Sequence, residues 1–446
     1  MSISSFLGIE TALRGLEAQQ RALDVTGTNI TNANTPGYTR RVATLVETQG
    51  LRDVPAGVLG TGVSVQSYTR IRDGVLDYQA RGQGMLLGYQ TARRDGLSQV
   101  EATLSEPSDT GLSSLFDKFW SSWQDLANQP TSTAARQAVL GSAQSVAGAI
   151  QGLQSRLTQI DGDTQQGITT TINDLNDTVS QIARLDDAIS SQTKTGQQVD
   201  GGLLDQRDLM LDKLSSLANV TITPQADGST TLAIGSFTLL SSGTQTQVTS
   251  VSALGSNLTS GKLAGLVSLD TSIAGSGGYL SELDTLASSL ISAVNTQQAA
   301  GYTLNGSAST QAFFTGTDAS SIAVNSALTA DSSLIAASGA PNEPGNGDNA
   351  LAIANLRGST SIDGAYQSLV TEIGSDSREA QRNADVAQTL SDAVENKRES
   401  VMGVSIDEEM ANLVRFQRGY QASARVMNAM DDVLQTLIER TGRVGL

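Results

Sequence analysis

Apolar residues return along this chain with the period of a packed helix. Across residues 3–32, Phe6, Ile9, Leu13, Leu16, Gln20, Leu23, Gly27 and Ile30 are spaced alternately three and four apart. That is a coiled-coil seam with two soft positions, Gln20 and Gly27. The run NITNANTPGY, Asn29 to Tyr38, closes the helix. Asn and Thr compete for backbone hydrogen bonds, and Pro36 cannot continue the helix. Pro36-Gly37 predicts a type II turn with Gly37 at positive φ, so Asn32, Pro36, Gly37 and Tyr38 are assigned to a joint. Residues 39–72 read as extended, with Gly57, Gly60 and Gly62 as punctuation.

Helical periodicity resumes near 85 and runs to about 218. One seam runs through Val139, Ala143, Val146, Ile150, Leu153, Leu157 and Ile160. After a break at Asp161-Gly162-Asp163 a second runs through Ile168, Ile172, Leu175, Val179, Ile182, Asp186 and Ile189. Two heptad tracts in succession predict long rods on partner helices. In 219–345 two β-prone runs flank Asp227-Gly228 and predict a hairpin, followed by a helix near 279–298. This stretch is taken as a small outer domain that the basic assembly does not need. From 362 a seam runs through Tyr366, Val370, Ile373, Ser377, Ala380, Ala384, Ala387, Ser391, Val394 and Val401. Beyond Gly403 a last helix carries Ile406, Met410, Leu413, Gln417, Tyr420, Ala424, Met427, Asp431, Leu434 and Ile438. A second apolar stripe beside it holds Val414, Val426, Met430, Val433 and Leu437. A helix with two apolar faces calls for more than one neighbour, other copies of the chain among them.

The expected fold is therefore mainly α with a β-containing insertion: paired terminal helices, long coiled-coil-like rods and a small mixed outer domain. The expected divisions are 1–38, 39–84, 85–218, 219–345, 346–402 and 403–446. The assembly surface is placed on Phe6, Ile9, Leu13, Leu16, Leu23, Ile30, Leu413, Tyr420, Met427, Leu434 and Ile438. Antiparallel terminal helices would set Leu16 against Met427, Leu23 against Tyr420, Ile30 against Leu413 and Ile9 against Leu434.

Composition narrows the chemistry. Only 4% of the 446 residues are aromatic and 38% hydrophobic, which favours narrow buried stripes over one thick core. With no cysteine and no histidine, thiol nucleophiles, disulfides, imidazole catalysis and the usual zinc ligand sets are excluded. A net charge of −17 disfavours nucleic acid or an anionic membrane as partner. No apolar run reaches the roughly 18 residues of a membrane-spanning helix. The N-terminal pattern is not that of a cleavable signal peptide, and export by another route is expected.

The adjacent carboxylates Asp186-Asp187, Glu408-Glu409 and Asp431-Asp432 do not suit a glycosidase, whose pair must face across a substrate. Asp186-Asp187 reads as a solvated face, and Asp431 as a seam residue that selects register. The loop Asn342 to Asn349 lacks the spacing of a calcium loop, and Gly60-Thr61-Gly62 and Gly275–Gly278 match no nucleotide motif. Met427 and Met430 read as packing residues. No cofactor is expected.

NITNANTPGYTR near one end and DEEMANLVRFQRGYQASARVMNAMDDVLQTLI near the other together resemble the axial proteins of the bacterial flagellum. These are the rod, hook and hook-associated subunits. The interior stretches WQDLANQPTSTAARQAVL and LLDQRDLMLDKLSSL resemble the hook-associated members at the hook–filament junction. The resemblance implies a structural, non-enzymatic subunit outside the cell, exported by the flagellar type III apparatus. As partners it implies other copies, hook protein, a second junction protein toward the filament and an export chaperone at the C-terminal region. Another axial subunit, or a coiled-coil scaffold or adhesin unrelated to flagella, is the alternative.

Overall fold

The computed structural model describes residues 6–53 and 57–441. The outermost parts of the expected terminal units, 1–5 and 442–446, lie outside the described residues. The first helix, α1 (Leu7–Thr31), is followed by a turn in which Tyr38 N–H donates to the Thr35 carbonyl at 3.1 Å and Gly37 has φ +77°. That is the Pro-Gly type II geometry.

A β-ribbon then folds back along α1. Strand β1 (Arg41–Glu47) pairs antiparallel with β4 (Val63–Arg70), with a bulge between Thr44 and Leu45. The shorter strands β2 (Leu51–Asp53) and β3 (Gly57–Leu59) pair at the far end.

Helix α2 (Gly74–Leu104) starts about ten residues before the expected boundary at 84. Gly82, Gly84 and Gly88 look like breakers in the sequence, but Gly88 is a contact point: a Cβ there would sit 2.3 Å from the Ser216 carbonyl oxygen. Asp73 caps the helix by accepting from the amides of Val75 and Leu76.

Helix α3 (Leu112–Asn128) leads into α4 (Thr133–Lys194), one unbroken helix of 62 residues. The expected break at Asp161-Gly162-Asp163 is absent. The buried seam passes through it as Ile160, Thr164 and Ile168, and Gly162 faces open space. One mid-helix glycine costs about 1 kcal/mol, too little to stop a helix packed on both sides of it.

Helix α5 (Gly201–Leu217) precedes a four-stranded antiparallel meander of β5 (Thr221–Pro224), β6 (Thr230–Ile234), β7 (Phe237–Ser241) and β8 (Thr244–Gln245). Gly228, at φ +87°, turns the first hairpin. Then come α6 (Gly261–Ala274), α7 (Tyr279–Ala300), a small ribbon of β9 (Phe314–Thr315) and β10 (Ala323–Val324), and short helices α8 (Ser326–Ala330) and α9 (Asp348–Ala354). The chain ends in α10 (Asp363–Met402) and α11 (Ile406–Thr441).

The fold is mainly α with a β-containing insertion. Residues 219–345, however, do not stand apart as a single outer unit. The meander, Leu263 of α6 and the C-terminal half of α4 share one core with α5. Residues of α6, α7 and the segment that follows share a second core with α3, the N-terminal half of α4 and the start of α10. Both tryptophans and four of the seven phenylalanines meet in that second core. Phe119 and Trp123 pack on Phe313 at ring-centroid distances of 6.3 and 5.2 Å, and Phe116 meets Tyr366 at 6.2 Å. A scarce aromatic stock pooled in one place makes a thick core that average composition hides. Deleting 225–345 would therefore open it.

The α10 seam holds from Tyr366 to Ala387, with Leu369 buried in place of the expected Val370. Further on Ser391 and Val394 are half-buried, Val401 is exposed and Met402 is buried instead.

Candidate assembly interface

The terminal helices α1 and α11 pack antiparallel, and small residues line the contact. On α1 the buried positions are Ala12, Ala18, Ala22, Thr26 and Asn29. A Cβ on Gly8 would lie 2.9 Å from Met430 Sδ, one on Gly15 3.0 Å from Ser423 Oγ, and one on Gly419 2.8 Å from the Gln19 side chain. The helices approach as closely as these glycines and alanines allow.

This contact replaces the expected register. Gly8 meets Met430 and Gly15 meets Ser423, so Leu16 lies opposite the neighbourhood of Ala422, not Met427. The pairs Leu23–Tyr420, Ile30–Leu413 and Ile9–Leu434 shift by the same few residues. A seam drawn by side-chain size picks out large residues, whereas a close two-helix contact selects small side chains and turns large ones aside. Phe6, Leu13 and Ile438 are exposed; Ile9, Leu16, Leu23, Ile30, Leu413, Tyr420, Met427 and Leu434 are half-buried. Asp431 faces solvent and selects no register within the chain.

At the inner end of the pair the joint is fastened by hydrogen bonds. Asn29, 1% exposed, donates to the Arg41 carbonyl at 2.8 Å and to Glu409 Oε2 at 3.0 Å. Its Oδ1 accepts from Tyr38 Oη–H at 2.8 Å and from the Arg41 amide at 3.0 Å. All four hydrogen-bonding sites of the amide are used. Glu409, 2% exposed, is paired with Arg40 Nε at 2.9 Å, and the other arm of Arg40 reaches Glu408 at 2.9 Å. The Arg40 amide donates to the Met402 carbonyl. Burial pushes the Tyr38 phenol up, and Arg41, whose guanidinium lies 5.2 Å from the ring centre, opposes the rise.

Of the expected joint residues, Asn32 bonds back to the Thr28 carbonyl, Pro36 is exposed, and Gly37 sits against Leu209 of α5. Sequence reasoning misses Asn29, Arg40, Arg41 and Glu409. Their signal is a polar Asn on the small-residue face of α1, paired with one carboxylate in an acidic first turn far along the chain.

The acidic face of α5 is the second fastening. Asp205, Asp208 and Asp212 fall on one side of the helix and collect arginines from four directions. Arg41 and Arg70 of the ribbon reach Asp205 at 3.1 and 3.0 Å; Arg72 reaches Asp208 at 2.9 Å. Arg81 of α2 and Arg398 of α10 each reach Asp212 at 2.7 Å. Arg72 also grips Asp77 at 2.6 Å. Burial works against its charge, but these carboxylates outweigh it and raise the guanidinium's pKa. Ion pairs of this kind add little net stability compared with apolar packing, and losing one member is costly. What they provide is geometry, since ribbon, α2 and α10 are all indexed to α5.

Asp186 is not a solvated residue. At 2% exposure it accepts from the Thr230 amide at 2.8 Å and hydroxyl at 2.6 Å, and pairs with Arg207 at 3.2 Å, tying α4 to the meander. Asp187 beside it is exposed. In the loop 342–349, Asn346 accepts from the Gly339 and Asp348 amides and donates to Glu343 and Asp348. No group of metal-ligating side chains stands together among the described residues. Gly62, at φ +111°, faces α1, where a Cβ on it would lie 3.4 Å from the Thr11 carbonyl oxygen, and Gly275 and Gly278 join α6 to α7. No described helix is long and apolar enough to cross a membrane.

Comparison with known proteins agrees with this layout. Residues 97–314 match the flagellar hook-associated protein FlgK helical domain. Residues 397–440 match the C-terminal domain of the flagellar basal body rod FlgEFG proteins, and residues 9–39 the flagella basal body rod protein. The chain is 33% identical to flagellar hook-associated protein 1 of Bacillus subtilis, over 98% of this chain and 99% of that protein. To its Escherichia coli counterpart it is 26% identical, over 96% and 99% respectively. The flagellar hook junction protein FlgK of Burkholderia pseudomallei has a similar fold, with TM-score 0.60 and 17% identity over 74% of this chain and all of that one.

Proposed function

Because the chain belongs to the flagellar hook-associated protein 1 family, and so is a structural axial component of the flagellum joining hook to filament, we propose how its parts do this. The carrying observation is the apolar surface left over once α1 and α11 have paired. Small residues satisfy that contact, which leaves Ile406, Met410, Val414, Val426, Val433 and Ile438 at 45–68% exposure on a single helix. Full burial of such a side chain is worth about 1.5–3 kcal/mol. Six of them half-exposed supply ample drive for α11 to bury itself against the terminal helices of neighbouring copies. The terminal pairs then form the inner layer of a helical assembly, with α2, α4 and α10 outside it.

The work is mechanical and no catalysis is involved. Joint and α5 ladder hold the inner pair at a set angle to the rods, so a load on one layer is passed to the other. Hook protein lies on one side and a second junction protein on the other. An export chaperone shields the apolar C-terminal helix before assembly, and the chain leaves the cell through the flagellar export apparatus. Removing residues 2–32 should hold the chain in the cytoplasm.

The decisive test is a strain lacking the gene. Hooks without filaments, with flagellin released to the medium, are expected; normal filaments would refute the junction role. Val426→Glu with Val433→Glu should be exported and folded yet absent from hooks.

A further inference from the structure

Asn-Gly occurs twice in the chain, at Asn305-Gly306 and at Asn346-Gly347. In this dipeptide the glycine nitrogen can reach the carboxamide carbon of the asparagine, since no Cβ stands in the way. The two copies are held very differently. Asn305 is exposed at a turn, and its side chain makes no hydrogen bond among the described residues. The Gly306 amide is committed to the Thr303 carbonyl at 2.9 Å.

Asn346 is half-buried, and both ends of its carboxamide are engaged. Its Oδ1 accepts from the Gly339 amide at 3.0 Å and from the Asp348 amide at 2.9 Å. Two backbone donors on one carbonyl oxygen stabilise the negative charge that develops there when the carbon is attacked. Its Nδ2 donates to Glu343 at 3.2 Å and to Asp348 at 3.1 Å, so the potential leaving group is held between two carboxylates. The Gly347 amide has no acceptor among the described residues, which leaves its nitrogen free. Nucleophile, oxyanion donors and proton carriers are thus gathered around one bond.

We propose that Asn346-Gly347 is a self-modifying site, at which the folded chain deamidates its own asparagine. The Gly347 nitrogen bonds to Asn346 Cγ and gives up its proton to Glu343 or Asp348. The Cγ–Nδ2 bond breaks, and the departing nitrogen takes that proton and leaves as ammonia. Water, the sole co-reactant, then opens the cyclic imide at either carbonyl and leaves an aspartyl or isoaspartyl residue at 346. The loop has little slack for the product. A Cβ on Gly347 would lie 2.1 Å from the Ala127 carbonyl oxygen, and an isoaspartyl link lengthens the backbone at this point. A third carboxylate also replaces the amide that faced Glu343 and Asp348. Both changes lift the loop from the end of α3. Because the donors come together only in the closed loop, the modified fraction records the age of the folded chain.

The purified full chain, with no other protein present, is held at neutral pH in water enriched in oxygen-18, beside the same chain unfolded in guanidinium. Chymotrypsin separates positions 305 and 346 into different peptides for mass spectrometry. Position 346 should gain one labelled oxygen several-fold faster in the folded chain than in the unfolded chain, and several-fold faster than position 305. A rate at 346 no higher folded than unfolded, or no higher than at 305, would overturn the proposal. Glu343→Gln with Asp348→Asn alters two exposed side chains, so the thermal midpoint should stay as in the parent. Labelling at 346 should slow several-fold while 305 keeps its rate; an unchanged rate at 346 would refute the proton transfer.

Discussion

Asn29 sits where four backbone and side-chain groups would otherwise go unmet. Asn29→Ala strands the Tyr38 hydroxyl, the Arg41 amide and carbonyl, and one oxygen of Glu409. At about 1–3 kcal/mol for each buried group left unsatisfied, the loss should be about 3 kcal/mol or more. It is read as faster hydrogen exchange in 20–31 with the rods unaffected. A second residue effect concerns pH. Burial raises the Asp161 carboxyl, and the neighbouring Asp270, which shares a hydrogen bond with it, raises it further. A folded-state value above the unfolded value of about 3.9 means that ionisation costs stability at neutral pH. That cost vanishes as the pH falls through the raised value. Asp270→Asn should therefore raise the thermal midpoint at pH 7, with the gain shrinking toward pH 4. Single positions were legible in the sequence where their chemistry is local. Pro36-Gly37 declares its turn because both dihedrals belong to those residues. Asn29 and Glu409 declare little singly, because each looks ordinary until the other is beside it.

Elements were legible in proportion to how much of their packing is repetitive. The heptads of α4 are plain because its neighbours contact it turn after turn. The glycines of α2 mislead because Gly88 and Gly96 serve as contact surfaces for α5 and α6 while Gly82 and Gly84 face open space within the same helix, and the start of α2 is lost with them. Helix α6, within GKLAGLVSLDTSIA, is a mixed apolar helix buried from several sides and shows no single stripe. Gly162 offers a test at this scale. It lies mid-helix, and a methyl group added there would meet nothing within 4 Å, so Gly162→Ala should add about 0.5–1 kcal/mol and raise the midpoint of thermal unfolding. A fall would mean that α4 needs flexibility there. The α1–α11 register is checked by a disulfide. A Cβ on Gly15 would lie 3.7 Å from Ser423 Cβ, close to the separation in natural disulfides, and the parent chain has no cysteine. Gly15→Cys with Ser423→Cys should oxidise readily, and Leu23→Cys with Tyr420→Cys poorly; the reverse order would restore the size-based register.

Across the whole molecule, α4 is about 93 Å long at 1.5 Å per residue and belongs to both cores, so neither core is an independent body. The overall class was legible because terminal helices, rods and hairpin each carry their own period. The division of 219–345 between two cores was not, since it depends on which surfaces meet. The joint also has a consequence in time. Asn29 and Glu409 are 380 residues apart. A chain made from its N-terminus exposes α1 early, while the partner that completes the pair emerges near the end of synthesis. Contacts of such separation form last, after the large loop between them has been closed. The surface that recruits a neighbour is thus absent from every unfinished chain, and a truncated product lacking 409 has no way to cap a growing structure.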